Sequence, residues 1–278
     1  MSPVEGMQQL SSARAFLFVP GDRPDRFDKA VAAGADVVIL DLEDAVGPDQ
    51  KELARGHVAA WLSEGGTAAV RVNAVGTPEH DGDLAALADL REGSGLLGVV
   101  VPKAEDANAL SAVAARTGAP VVALVESAAG MVEAVGLARA EGVVRLAFGH
   151  LDYAVDLGSE SSRPAMAHGR STLVLASRAA GLAGPVDGVT VALDDEGTLA
   201  DDLAHARELG MAGKLLIHPR QVGATLAAFR PSEDELEWAH KVVDAARRSD
   251  GGAVRVDGDM VDAPVISRAE EILRRQNR

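Results

Sequence analysis

Short, continuously apolar runs alternate along the chain with longer Ala- and Leu-rich stretches in which apolar residues return at helical spacing. The runs that read as strands are AFLFVP (Ala15 to Pro20), VVILDLED (Val37 to Asp44), AAVRVNA (Ala68 to Ala74) and GVVVPK (Gly98 to Lys103). They continue with VVALVES (Val121 to Ser127), RLAFGHLD (Arg145 to Asp152), GVTVAL (Gly188 to Leu193) and GKLLIHP (Gly213 to Pro219). Most lack the polar/apolar alternation of a half-exposed strand, which fits parallel strands covered on both faces. Stretches such as DRFDKAVAAGA and DANALSAVAARTGA lie between them and carry a Gly near the end, a helix-stop signal. Eight β-then-α units in a chain of this size predict an α/β fold, a (β/α)8 TIM barrel. A doubly wound open sheet is the rival, and the number of strands favours the barrel. Beyond the eighth unit, Ser232 with Glu235 three residues on reads as a capping box. Asp250-Gly251-Gly252 then reads as a turn, followed by a short extended piece and a last helix. The expected organisation is a catalytic barrel over 1–230 and a C-terminal helical extension with a lid segment over 231–278.

Composition narrows the class. Forty-two acidic against 27 basic side chains leave a formal charge of -15, which repels a polyanion and argues against a nucleic-acid partner. Only 3% of residues are aromatic, too few for base-stacking platforms. No apolar run reaches the roughly 20 residues of a membrane span, so no membrane partner is expected. Cys is absent, which removes disulfides, thiolate metal sites and Cys nucleophiles and fits a cytoplasmic setting. What remains is a globular protein that handles small molecules.

Two motifs mislead. GSGLLG (Gly93, Gly95, Gly98) has the spacing of a dinucleotide fingerprint but precedes a strand instead of following one. Gly213-Lys214 lacks the upstream glycine and following hydroxyl residue of a phosphate loop. In a barrel the chemistry lies where strands end. The second strand ends in Asp41, Glu43 and Asp44, the third carries Arg71 and Asn73, and the fourth ends with Lys103. The fifth ends with Glu126, the sixth with Asp152 and the eighth with His218. Carboxylates leaving adjacent strands suit Mg2+, which takes few protein oxygens and keeps water or substrate in its remaining positions. An Arg opposite suits a substrate carboxylate or an enolate oxygen. Each residue also has a plainer reading: Glu126 and Asp152 as helix caps, Arg71 as an ion-pair partner of the Asp41–Asp44 cluster, and His218 as a structural residue.

FLFVPGDRPDRFDKA, VVILDLEDAV, VRVNA, VPKAE, ALVESAAG, FGHLDYAVDLG, IHPRQV and MVDAPV occur in an order that resembles the stand-alone citrate lyase beta-subunit-like proteins. Their superfamily also holds malyl-CoA and citramalyl-CoA lyases. The resemblance implies a Mg2+-dependent barrel, commonly a homotrimer, that breaks or forms a carbon–carbon bond beside an acyl thioester of CoA. It implies Glu126 and Asp152 as Mg2+ ligands, Arg71 as the substrate-binding and oxyanion-stabilising arginine, and Glu43 as a carboxylate behind the metal. It further implies Asp262 as a proton-transferring lid aspartate, delivered in related lyases from a neighbouring subunit. Arg23, Arg26 and Lys29 are implied as contacts to CoA phosphates. His150 falls in a variable stretch, with substrate contact and packing both open.

The expected function is retro-Claisen cleavage, or its reverse, of citramalyl-, malyl- or citryl-CoA, giving acetyl-CoA and pyruvate, glyoxylate or oxaloacetate. Three alternatives stand beside it: a Mg2+ aldolase on free oxo acids, malate-synthase or thioesterase activity, and a non-catalytic metabolite-binding subunit.

Overall fold

The structure, a computed structural model, describes residues 2–90, 93–248, 254–256 and 259–276. The chain forms two compact units, Met1–Leu226 and Ala227–Arg278. The first is an eight-stranded closed parallel barrel, as the apolar runs predict. Its strands are β1 (Ala15–Pro20), β2 (Val37–Asp41), β3 (Ala68–Arg71), β4 (Leu96–Val101), β5 (Val121–Val125), β6 (Val143–Phe148), β7 (Val186–Asp187) and β8 (Gly213–Leu216). They pair in chain order, and β8 closes on β1 through Phe16 opposite Leu215. Phe16, Ile39, Ala69, Val100, Leu124, Ala147, Val186 and Leu215 belong to one buried cluster, so side chains fill the barrel.

The seventh strand departs from expectation. GVTVAL (Gly188 to Leu193) is not a strand; the barrel uses the two residues before it. The backbone of this segment finds partners outside the ladder. Lys214 Nζ donates to the Gly188 carbonyl at 2.7 Å, and Gln221 Nε2 donates to the Thr190 carbonyl at 2.8 Å. β-Propensity alone does not make a strand where the backbone is bonded by side chains instead.

A helix that the apolar pattern does not predict spans Pro3–Ser12. Ser2 and Glu5 form its capping box, and Leu10 joins the buried barrel cluster. Gly98, from the GSGLLG motif, owes its place to this helix: a Cβ there would strike Leu10 and the Pro120 carbonyl. Arg145 fastens the same end. It is 1% exposed, and its guanidinium donates to the carbonyls of Leu10, Ser11, Gly184 and Ala212. Replacing Arg145 by methionine strands several of these carbonyls away from water. We expect a loss of about 3 kcal/mol or more, read as a lowered denaturation midpoint at unchanged m-value.

The second unit pairs the helices Glu233–Arg248 and Ala263–Gln276 around Ala239, Val242, Val261, Ala269 and Ile272. Between them β9 (Val254–Val256) and β10 (Asp259–Val261) form an antiparallel ribbon. The predicted capping box is present, with Glu235 N–H on Ser232 Oγ at 3.1 Å and Ser232 N–H on Glu235 Oε2 at 2.8 Å. The turn read at Asp250-Gly251-Gly252 lies outside the described residues. No helix among the described residues is long and apolar enough to cross a membrane.

Candidate active site at the barrel mouth

Parallel strands bring all their C-terminal ends to one rim. Asp41 ends β2, Arg71 ends β3, Lys103 follows β4, Glu126 follows β5, and Asp152 lies in the first turn of the helix His150–Leu157 after β6. The structure therefore gathers Asp41, Glu43, Arg71, Lys103, Glu126 and Asp152, all strand-end residues in the sequence, at one end of the barrel.

Asp41 is the anchor of the arginine. Its carboxylate, 1% exposed, takes Arg71 Nε at 2.7 Å and Nη2 at 2.6 Å, a bidentate fork. The same carboxylate accepts the backbone N–H groups of Glu43 and Ala45, which fixes the turn after β2. Arg71 Nη1 lies 3.0 Å from Glu43 Oε2, and the guanidinium stacks 4.8 Å from the centre of the Phe18 ring. The ion-pair reading of Arg71 is therefore correct in part: the arginine is held from behind and from one side. Glu43 Oε2 is buried and, despite the nearby cation, has no aligned hydrogen-bond donor. Burial raises the Glu43 carboxyl above its usual range against the pull of Arg71 and Lys103.

Lys51 braces this arrangement from below. Its ammonium donates to the carbonyls of Leu42 and Glu43, both at 2.7 Å, and to Asn73 Oδ1 at 2.6 Å. Asn73 in turn donates through its backbone and side chain to buried Asp83. The turn that carries Glu43 is thus tied to the end of the strand that carries Arg71.

Glu126 is no helix cap. It is buried at 4% exposure, while the neighbouring Ser127 caps the helix Ala128–Val132. Its Oε1 accepts the backbone N–H of Lys103 at 2.9 Å. A Cβ on Gly149 would collide with its side chain, so the GHLD turn needs glycine there to pass close by. Burial, with Glu43 and Asp152 as like charges, pushes the Glu126 carboxyl up to about 8. Asp152 is exposed and sits in the first turn of a helix whose N-cap is Gly149, so it is not the helix cap either.

Lys103 has φ of +47°, the left-handed region, and is alone among described residues other than glycine in having a positive φ. This conformation costs a non-glycine residue roughly 1–2 kcal/mol. It turns the N–H toward Glu126 while the ammonium reaches Glu43 Oε1 at 2.9 Å. The sequence placed Lys103 at the end of a strand and gave it no task; nothing in a lysine signals a left-handed backbone.

The donor set suits a hard cation. Among the described residues no three of His, Cys, Asp and Glu converge as ligands. Two carboxylates, Glu126 and Asp152, can hold an ion that completes its shell with water and substrate oxygen. A cation there would relieve the burial and like-charge repulsion that act on Glu126.

Arg23, Arg26 and Lys29 are exposed on the turn and helix after β1, at the same end of the barrel, and Arg23 is forked onto Asp25. Asp262 belongs to the second unit, exposed between β10 and the last helix, where its carbonyl accepts the Ile266 N–H. His150 packs: its buried Nδ1 has no hydrogen-bond partner, a Cβ on Gly188 would strike it, and its ring lies 6.2 Å from that of Phe148. His218 orders its own turn, accepting the Arg220 N–H on Nδ1.

Comparison with known proteins bears on the same residues. Residues 14–219, which hold all the barrel positions above, match the family model described as HpcH/HpaI aldolase/citrate lyase. A citrate lyase subunit beta-like protein of Mycobacterium tuberculosis is 40% identical over 276 residues, 97% of each chain. A (3S)-malyl-CoA thioesterase of Cereibacter sphaeroides is 35% identical over 275 residues, 95% of each. The crystal structure of CitE from Mycobacterium tuberculosis in complex with magnesium, acetoacetate and coenzyme A superposes with a TM-score of 0.84 at 39% identity. The match covers 96% of this chain and 98% of that one.

Proposed function

We infer the reaction from a plain premise: the chain belongs to the HpcH/HpaI aldolase/citrate lyase family. We propose that it is a Mg2+-dependent carbon–carbon lyase acting on a carboxylated 3-hydroxyacyl-CoA such as citramalyl-, malyl- or citryl-CoA. The products are acetyl-CoA and pyruvate, glyoxylate or oxaloacetate. The observation that carries this reading is the meeting of buried Glu126, Glu43 and the anchored Arg71 at the barrel mouth. The Mycobacterium tuberculosis relative that holds magnesium, acetoacetate and coenzyme A supports it.

Glu126 and Asp152 are the residues that would hold Mg2+. Bound there, the ion supplies Lewis acidity to the hydroxyl and carboxylate oxygens of the fragment that leaves. Cleavage takes the hydroxyl proton away, turns the hydroxyl carbon into the oxo acid's carbonyl, and leaves the bond's electron pair on the carbon next to the thioester. Arg71, already oriented by Asp41, offers its outer N–H groups to the enolate oxygen without reorganising. Glu43 keeps Arg71 Nη1 and Lys103 in place. Asp262 is the residue we assign to proton exchange at the enolate carbon. Arg23, Arg26 and Lys29 are proposed contacts for CoA phosphates. A cytoplasmic homotrimer, built from barrels over 1–230 with extensions over 231–278, is part of the same proposal.

Asp262→Asn should keep Mg2+ and oxo-acid affinity and lose most turnover, about a hundredfold. Calorimetry and a turnover assay on one preparation check this; full turnover would remove Asp262 from the mechanism.

A second reading has an observation of its own. The relative at 35% identity is a malyl-CoA thioesterase, and hydrolysis would break the thioester instead of the carbon–carbon bond. Product analysis with malyl-CoA separates the two. Acetyl-CoA with glyoxylate supports the lyase; free malate with free CoA and no glyoxylate supports the thioesterase.

A further inference from the structure

We propose that Lys103 is a further substrate-binding residue of this site, its ammonium taking the carboxylate of the 2-oxo acid. The inference rests on the lyase reading and extends it. It starts from an inventory of donors. Arg71 is heavily committed: Nε and Nη2 serve Asp41, and Nη1 faces Glu43. One N–H of Lys103 serves Glu43. The other two are open, on a side chain that is 47% exposed where Arg71 is only 12% exposed. Of the two cations in this cluster, Lys103 therefore has the greater share of unspent donors.

Its placement is also defined. The left-handed backbone gives Lys103 an N–H on Glu126 and an ammonium on Glu43 at once. A single residue thus touches both the proposed metal ligand and the carboxylate that flanks Arg71. A strained backbone persists where the surroundings over-determine it, and such strain gathers at ligand sites. A dianionic or monoanionic substrate entering among Glu43, Glu126 and Asp152 meets like charges on several sides. An ammonium with donors to spare answers that charge, and an ammonium accepts an approaching carboxylate from a range of directions.

The rival role is indirect, with Lys103 serving only to orient Glu43. The two differ in a double-mutant cycle. The probes are pyruvate, glyoxylate and oxaloacetate, each titrated calorimetrically into Mg2+-loaded protein. Lys103→Met and Lys103→Gly should each bind the oxo acid about ten- to a hundredfold more weakly, with Mg2+ affinity retained. Lys103→Gly suits the left-handed backbone and guards against a folding defect in the methionine variant. In a Glu43→Gln background, Lys103→Met should still weaken oxo-acid binding, because the contact is direct. Wild-type affinity in both Lys103 variants overturns the inference, as does a Lys103→Met effect that vanishes in the Glu43→Gln background. A wild-type protein that takes up no oxo acid with Mg2+ overturns the lyase reading, and the inference with it.

Discussion

Glu126→Gln is expected to lose Mg2+ affinity by more than about a hundredfold, and Mg2+-dependent turnover with it. Loss of residues that merely support a metal ligand costs 10- to 100-fold, so loss of a ligand should exceed that range. The same variant has an opposite effect on the metal-free protein. In the folded state the Glu126 carboxyl is pushed up to about 8, chiefly by burial, whereas an unfolded glutamate titrates near its ordinary value of about 4.3. A raised folded value favours the folded state below the unfolded value, and that advantage is lost as pH rises through about 8. In EDTA, wild-type protein should therefore lose thermal stability between about pH 5 and pH 8. Glu126→Gln, which has no charge to bury, should show less of that decline. Melting curves across this window, with and without Mg2+, check both halves. An unchanged Mg2+ isotherm for Glu126→Gln would remove it from the ligand set.

Arg71→Ala should damage fold and function together, and the two can be separated. Asp41 is 1% exposed and takes both arms of the Arg71 fork. Removing the arginine strands a buried carboxylate, a change that costs about 3–5 kcal/mol when one partner of a buried pair is lost. Turnover should fall by about 10² to 10³, the usual result of deleting an oxyanion donor. In Arg71→Met with Asp41→Asn the unpaired charge is gone, while the amide oxygen can still accept from the turn after β2. This double variant should recover much of the stability and none of the turnover. Denaturant titration alongside a turnover assay decides; recovery of both would mean that Arg71 only supports the fold.

The fold was legible because parallel barrel strands announce themselves as apolar runs. Strands covered on both faces need no polar alternation, so VVIL, GVVV and VVALV stood out. The barrel rule then turned the polar residue after each run into a candidate, which is how Glu126, Asp152 and Arg71 surfaced. What escaped depends on partners distant in sequence. GVTVAL has strand-like composition, yet Lys214 and Gln221 claim its carbonyls. Pro3–Ser12 is a short helix whose purpose appears only when Leu10 meets the barrel core. Among Asp41, Glu43 and Asp44, sequence alone did not say which residue anchors Arg71; burial assigns the fork to Asp41 and leaves Asp44 exposed and 4.0 Å away. Lys103 was the least legible, since its left-handed backbone follows from its neighbours Glu43 and Glu126 and not from its own type.

We propose that this barrel mouth breaks a carbon–carbon bond with the help of Mg2+. This is tested most directly by incubating the purified protein with citramalyl-, malyl- and citryl-CoA in turn, with Mg2+ or with EDTA, and quantifying acetyl-CoA and the matching oxo acid. At least one thioester is expected to yield both products in equal amounts with Mg2+ and neither with EDTA. Cleavage that persists in EDTA, or Mg2+-loaded protein that leaves all three thioesters intact, would contradict the proposal.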